Sequence, residues 1–339
     1  MKGTFKLRHM VILAVLIICG NSYSQEAIFS YTSPADGSSG LNPEQNIILK
    51  YSAGMDSHVF VKSMIRIHGT HSGNIDYTYD FHNNDNTLLI KPCVDFIPGE
   101  KVEVQYTGGL FSSNGKEFSP LTLHFSIINH DRDELHQKIA MLTSRPEPEQ
   151  SGKTGALPVS RYQDNNLPED YPPPTIYNYE EPDNRYFFYN TVCRNVTQPW
   201  ETYITIVDAY GTPVYYNKSN FMRHNFSMLP NGLLCYAIST IPNGPREKYF
   251  IMDSTFTVID SVNTGNGYYL DSHDMLLLDN GHYLVMSYDP QPVDMSQIVA
   301  GGDPNAIVTG LVIQEVDNDE NVFFQWRSWD HFEITDATW

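Results

Sequence analysis

The chain has 339 residues, 21 of them basic and 40 acidic, for a formal charge of −19. A surface so acidic repels nucleic acid and anionic membranes, which excludes both as partners. The length allows two domains, each with its own core. Tyr, Phe, Val, Ile and Thr are plentiful, and no long stretch repeats apolar residues at helical spacing, so the expected fold class is all-β.

Residues 1–24 read as a secretory signal. Lys2, Lys6 and Arg8 precede the apolar run Met10–Cys19, and small and polar residues lead to a cleavage point near Ser24 and Gln25. The protein is therefore expected in the periplasm, at the cell surface or outside the cell. Ile18 stands where lipidation of Cys19 would need a small residue, and the run is too short for a membrane span, so none is expected in the mature chain. Removing the segment takes away three basic residues and no acid, leaving 18 − 40 = −22. Cys93, Cys193 and Cys235 then remain; Cys193 and Cys235 either pair or stay small buried thiols.

Between residues 27 and 129 short apolar strands alternate with turn clusters, at Asn46–Tyr51, Met64–His68, Thr87–Lys91, Lys101–Tyr106 and Leu121–Ile127. That spacing predicts a β-sandwich. Ser33-Pro34-Ala35-Asp36-Gly37, the Tyr51–Asp56 segment and Ile97-Pro98-Gly99-Glu100 ahead of a strand resemble a bacterial immunoglobulin-like domain. The resemblance implies a spacer or attachment module. His58, His68, His71, His82 and His124 read as surface or turn residues. Residues 130–183 are polar and proline-rich, with Arg145-Pro146-Glu147-Pro148 and Tyr171-Pro172-Pro173-Pro174. Apart from a brief helix at Asp133–Leu142, they are expected to form a semi-rigid linker.

Residues 184–339 contain a repeat. Arg223–Cys235 (RHNFSMLPNGLLC) aligns with Ser272–Leu284 (SHDMLLLDNGHYL): His224 falls on His273 and Asn231-Gly232 on Asn280-Gly281, with 273 − 224 = 49 and 281 − 232 = 49. Upstream, Tyr203–Val214 aligns with Lys248–Val258, and Gly310–Val322 begins a third copy. Each copy reads as a hairpin, a variable loop, a His, an apolar strand, an Asn-Gly turn and another strand, which makes one blade of a β-propeller. A His repeated once per blade at the entrance of the innermost strand would gather imidazoles at one mouth of the channel. Alternatively, it hydrogen-bonds inside its own blade. Asp274 either belongs to this mouth or orients His273.

The blade grammar around His224, the Ser272–Gly281 segment, and Gly310–Asp317 leading into Phe324–His331 resemble the arylsulfotransferase family. The resemblance implies a six-bladed propeller that moves a sulfuryl group from an aryl sulfate donor to a phenolic acceptor through a sulfohistidine, with no nucleotide donor or other cofactor. Carried over, His224, His273 and His331 are the candidate catalytic residues, and Arg223, Asp274 and Arg327 the candidate substrate-binding residues; no metal site is expected. The family's nucleophilic His belongs to a later His-x-Asn segment that has no counterpart before Trp339. About three blades can be counted, so an incomplete propeller with exposed strand edges, inactive at this length, is expected. The rival reading is a noncatalytic surface protein whose two domains bind a partner or glycan. Asp317-Asn318-Asp319-Glu320-Asn321 lacks the spacing of a calcium loop. Gly265-Asn266-Gly267 lacks the strand and helix of a nucleotide site.

Overall fold

Period-two alternation and tight turns shape the chain in this computed structural model, which describes residues 27–143, 167–172, 174, 185–191, 202–219, 221–238 and 247–336. The expected signal segment, Cys19, Cys193 and most of the predicted linker lie outside the described residues. The described chain is all-β, with five antiparallel sheets, none closed into a barrel, and one helix.

The N-terminal half has two four-stranded sheets. The first orders β1 (Tyr31–Ser33), β2 (Ile47–Lys50), β6 (Thr87–Pro92) and β5 (Tyr77–His82); the second orders β4 (Gly73–Ile75), β3 (Ile65–Gly69), β7 (Lys101–Tyr106) and β8 (Leu121–Ser126). They enclose one core that includes Ile47, Leu49, Ile67, Leu88, Val104 and Phe125. All five predicted strands are present. β1, β4 and β5 had gone unread because they are short or, like YTYDFH in β5, carry polar residues on an exposed face. The predicted helix is α1 (Arg132–Thr143), started by Asp131, whose carboxylate accepts from the backbone N–H of Asp133 at 2.8 Å and of Glu134 at 3.2 Å.

Three sheets follow: β9 (Tyr186–Asn190) to β11 (Pro213–Ser219) through β10 (Thr202–Asp208); β12 (Arg223–Met228), β13 (Leu234–Ile238), β14 (Lys248–Met252) and β15 (Val258–Val262); and β16 (Tyr269–Leu277), β17 (Tyr283–Val293), β18 (Ala306–Val316) and β19 (Val322–Arg327). The sequence repeat is real at the level of its turns. Leu229 N–H bonds Leu233 O, and Asn231 Oδ1 accepts from Leu233 N–H; 49 residues on, Leu278 bonds His282 and Asn280 accepts from it in the same way. Gly232 and Gly281 both have φ of 84°, the left-handed conformation that only glycine adopts without cost. Asp208, Asp253 and Asp317 each close a β-turn by accepting backbone N–H groups two and four residues ahead. The segment weighed as a calcium loop is thus one of three equivalent strand connections.

The boundary of the repeating unit, however, differs from the predicted one. Backbone pairing runs from β13 into β14, Leu234 opposite Met252 and Ile238 opposite Lys248, whereas the β10–β11 hairpin ends its own sheet before β12 begins the next. The His strand therefore opens each sheet instead of sitting mid-unit. Turn residues mark hairpins locally but carry no information on which hairpins join edge to edge.

The two halves form a continuous body. Ile48 of β2 and Leu89 of β6 point away from their own core into one shared with Val262, Leu270, Val316 and Val322. Beside it runs a buried amide network: Gln325 donates to Gln45 Oε1 at 3.1 Å, and Asn266 and Gln314 donate to Gln325 Oε1 at 2.8 Å each. Asn42 donates to Asn266 O at 3.1 Å. The Tyr31 hydroxyl donates to Gln325 O and accepts from Gln325 N–H, both at 2.8 Å, closing the exposed edge of β19. The Gly265-Asn266-Gly267 loop lies in this interface; a Cβ on Gly265 would come within 2.4 Å of Val322. Around Tyr171, buried to 3% exposure, the proline-rich stretch is likewise packed: Asp170 accepts from the Tyr203 hydroxyl at 2.9 Å and pairs with Lys218 at 2.6 Å.

Candidate functional site: two imidazoles on neighbouring strands

In each of the last two sheets the first strand is irregular at its His. β12 pairs regularly with β13 at His224 opposite Ala237, then slips before Ser227, with Asn225 at φ 47°. β16 slips between Leu270 and Met275, the segment that contains His273. A bulge breaks the alternation of side chains and re-aims those within it. β12 and β16 are neighbours in space, and the two imidazoles come together with ring centroids 6.4 Å apart and planes inclined by 38°.

The pair is not symmetric. His273 has a side chain 75% exposed, yet its ring is tethered: Nδ1 lies 2.9 and 3.0 Å from the two carboxylate oxygens of Asp271, which also accepts the His273 backbone N–H at 3.0 Å. Asp271 itself is 5% exposed. Burial, and then Asp271, raise the Tyr288 phenol above its ordinary range. The orienting carboxylate is thus Asp271 and not Asp274. Asp274 is exposed and accepts from the Met275 backbone N–H at 2.8 Å. In YLDSHD the His has an Asp on either side; the repeat drew attention to Asp274 because it aligns with Asn225, and only the bulge decides that Asp271 turns back onto the ring.

The other sequence candidates lie elsewhere. Arg223 precedes His224 and is turned away into the sheet interior, 4% exposed, donating to Asn217 Oδ1 at 2.9 Å and lying 5.5 Å from the Tyr236 ring centroid. Burial lowers its pKa from the ordinary guanidinium value. Arg327 is 1% exposed and fully engaged: Nη2 and Nε donate to Asp289 Oδ2 at 2.7 and 3.2 Å, Nη1 to Asp330 at 3.1 Å, and Nη2 also to Ser39 O at 3.2 Å. Through Ser39 it joins the two halves of the chain. His331 stacks on Trp326 with centroids 5.3 Å apart, just past β19 at the far edge of the sheet from β16. Three strand spacings of ~4.8 Å separate these two edges of the sheet.

Cys235 is a buried free thiol whose pKa is raised by burial, and Cys93 is free and exposed. Among the described residues no cluster of His, Cys, Asp and Glu is arranged to hold a metal ion, and no helix is long and apolar enough to cross a membrane.

Comparison with known proteins places residues 130–339 under a family model described as arylsulfotransferase (ASST). No curated protein matches the chain. Among solved structures, CopC from Methylosinus trichosporium OB3b is similar at 11% identity over 32% of this chain and 98% of its own, with a TM-score of 0.24. The copper resistance protein PcoC from Escherichia coli is similar at 13% over 29% and 97%, TM-score 0.23. The S-layer protein SbsC is similar at 11% over 87% and 46%, TM-score 0.25.

Proposed function

The chain belongs to the arylsulfotransferase family, and from that premise we propose that His224 and His273 form part of a site that moves a sulfuryl group from an aryl sulfate to a phenol. The observation that carries this reading is their approach to 6.4 Å on neighbouring strands of two sheets. In the proposed reaction an imidazole nitrogen attacks sulfur, an N–S bond forms as the ester S–O bond breaks, and the departing phenolate takes a proton. A phenol oxygen then attacks the sulfohistidine, losing its proton to a base as the N–S bond breaks and the imidazole leaves. His273, held by a carboxylate at Nδ1 with Nε2 turned outward, suits both transfers: as the imidazolium it gives the Nε2 proton to the leaving phenolate, and as the neutral ring it takes one back at Nε2 from the attacking phenol. His224 suits hydrogen bonding to the sulfuryl oxygens. The leader-like residues 1–24 support export of the protein.

The test combines turnover and binding. In the full-length protein, 4-nitrophenyl sulfate with phenol should release nitrophenolate and leave a sulfated histidine visible by mass spectrometry, and His273→Ala should slow release at least about a hundredfold. The same aryl sulfate should perturb the NMR signals of both imidazoles saturably. Binding without release would reduce the protein to an aryl sulfate binder, and no perturbation of either ring would overturn the site.

A further inference from the structure

We propose that Asp271 is the positioning residue of this site: it holds His273 with the proton on Nδ1, so that Nε2 is the nitrogen offered to substrate. This deepens the sulfuryl-transfer reading and rests on it. A carboxylate only accepts hydrogen bonds, so an imidazole whose Nδ1 lies 2.9 Å from one must carry its proton there, and the neutral ring then has its lone pair at Nε2. The geometry is over-determined. The same carboxylate is also held by the His273 backbone N–H at 3.0 Å, and it is 5% exposed while the ring it aims is 75% exposed. A buried group thus fixes the orientation of an exposed one, an arrangement that limits ring rotation where water would otherwise allow it.

Asp271 is also not part of the repeated blade framework. The turns at Leu229 and Leu278 recur residue for residue at a spacing of 49, but 271 − 49 = 222, and position 222 is a Met. A carboxylate needed only to fold the strand would be expected in both copies. It stands only beside His273, which gives one imidazole of the pair a fixed tautomer through a contact the other copy does not repeat.

The test reads the tautomer directly. In protein labelled with 15N-histidine, long-range proton–nitrogen NMR at neutral pH, with His273→Gln to assign the signal, should show His273 of the wild-type chain as the Nδ1–H form. In Asp271→Ala the two tautomers should mix, and nitrophenolate release from 4-nitrophenyl sulfate by the full-length protein should fall by about a hundredfold or more through kcat, with KM little changed. Asp271→Asn, which can still accept through Oδ1, should recover part of both. An Nε2–H wild-type ring, which needs no variant to observe, or an unchanged tautomer in Asp271→Ala, would overturn the positioning role. A tautomer that responds as expected in a protein that releases no nitrophenolate would support the positioning and sink the sulfuryl-transfer reading.

Discussion

Replacing Arg327 by Leu separates two roles that the sequence leaves open. Its side chain and that of Asp289 are 1% and 4% exposed, and the guanidinium makes bonds to Asp289, Asp330 and the Ser39 carbonyl at 2.7 to 3.2 Å. Burial alone would lower the arginine pKa; the surrounding Tyr268, Asp289 and Asp330 instead raise it above its ordinary value. Arg327→Leu leaves Asp289 buried with Gln291 Nε2, at 3.3 Å, as its remaining donor. Removing one partner of a buried pair costs about 3–5 kcal/mol. At ~2–4 °C per kcal/mol for a domain of this size, the melting temperature should drop on the order of 10 °C. The double variant Arg327→Leu, Asp289→Leu should recover most of that loss, because two apolar side chains leave no charge stranded. Differential scanning calorimetry of wild type and the two variants measures this. A loss under about 1 kcal/mol, with aryl sulfate affinity falling instead, would refute the clamp and return Arg327 to the substrate.

Three other outcomes follow from the same structure. Tyr31→Phe removes the hydroxyl that serves both backbone groups of Gln325 and should cost about 1–3 kcal/mol in chemical denaturation; burial pushes this phenol up to about 12, so in wild type it should titrate after the exposed tyrosines in an absorbance scan. Burial alone would raise the Glu315 carboxyl, but Asn280, His282 and Lys50 outweigh it and hold it below the usual range. Its contribution to stability is therefore full above the unfolded value near ~4.3 and fades as pH falls through the lower folded one. Wild type should consequently exceed Glu315→Gln at neutral pH and converge with it on acidification, and parallel curves would count against the pairing. Gly281→Ala and Gly232→Ala add a Cβ that meets nothing within 4 Å, so each should cost only the left-handed backbone penalty of about 1–2 kcal/mol, equal in the two sheets by thermal melts.

What the sequence determined by itself was local. NIILKY and TLLIK announce β2 and β6 because β propensity and turn chemistry act within a few residues, and their unbroken apolar runs match strands buried on both faces. Asn231-Gly232 and Asn280-Gly281 set identical turns for the same reason. The approach of His224 to His273 was legible too, since equal positions in equal hairpins stay equal when the hairpins pack side by side. The tertiary structure alone decided what each charged side chain meets. A bulge of one or two residues exchanges the faces of a strand, which is why Asp271 and not Asp274 reached the imidazole and why Arg223 turned inward beside an outward His224. Arg327 found Asp289 across 38 residues within one sheet, and Gln325 found Gln45 across 280 between the two halves, partnerships that no local pattern encodes because they exist only once distant segments pack together.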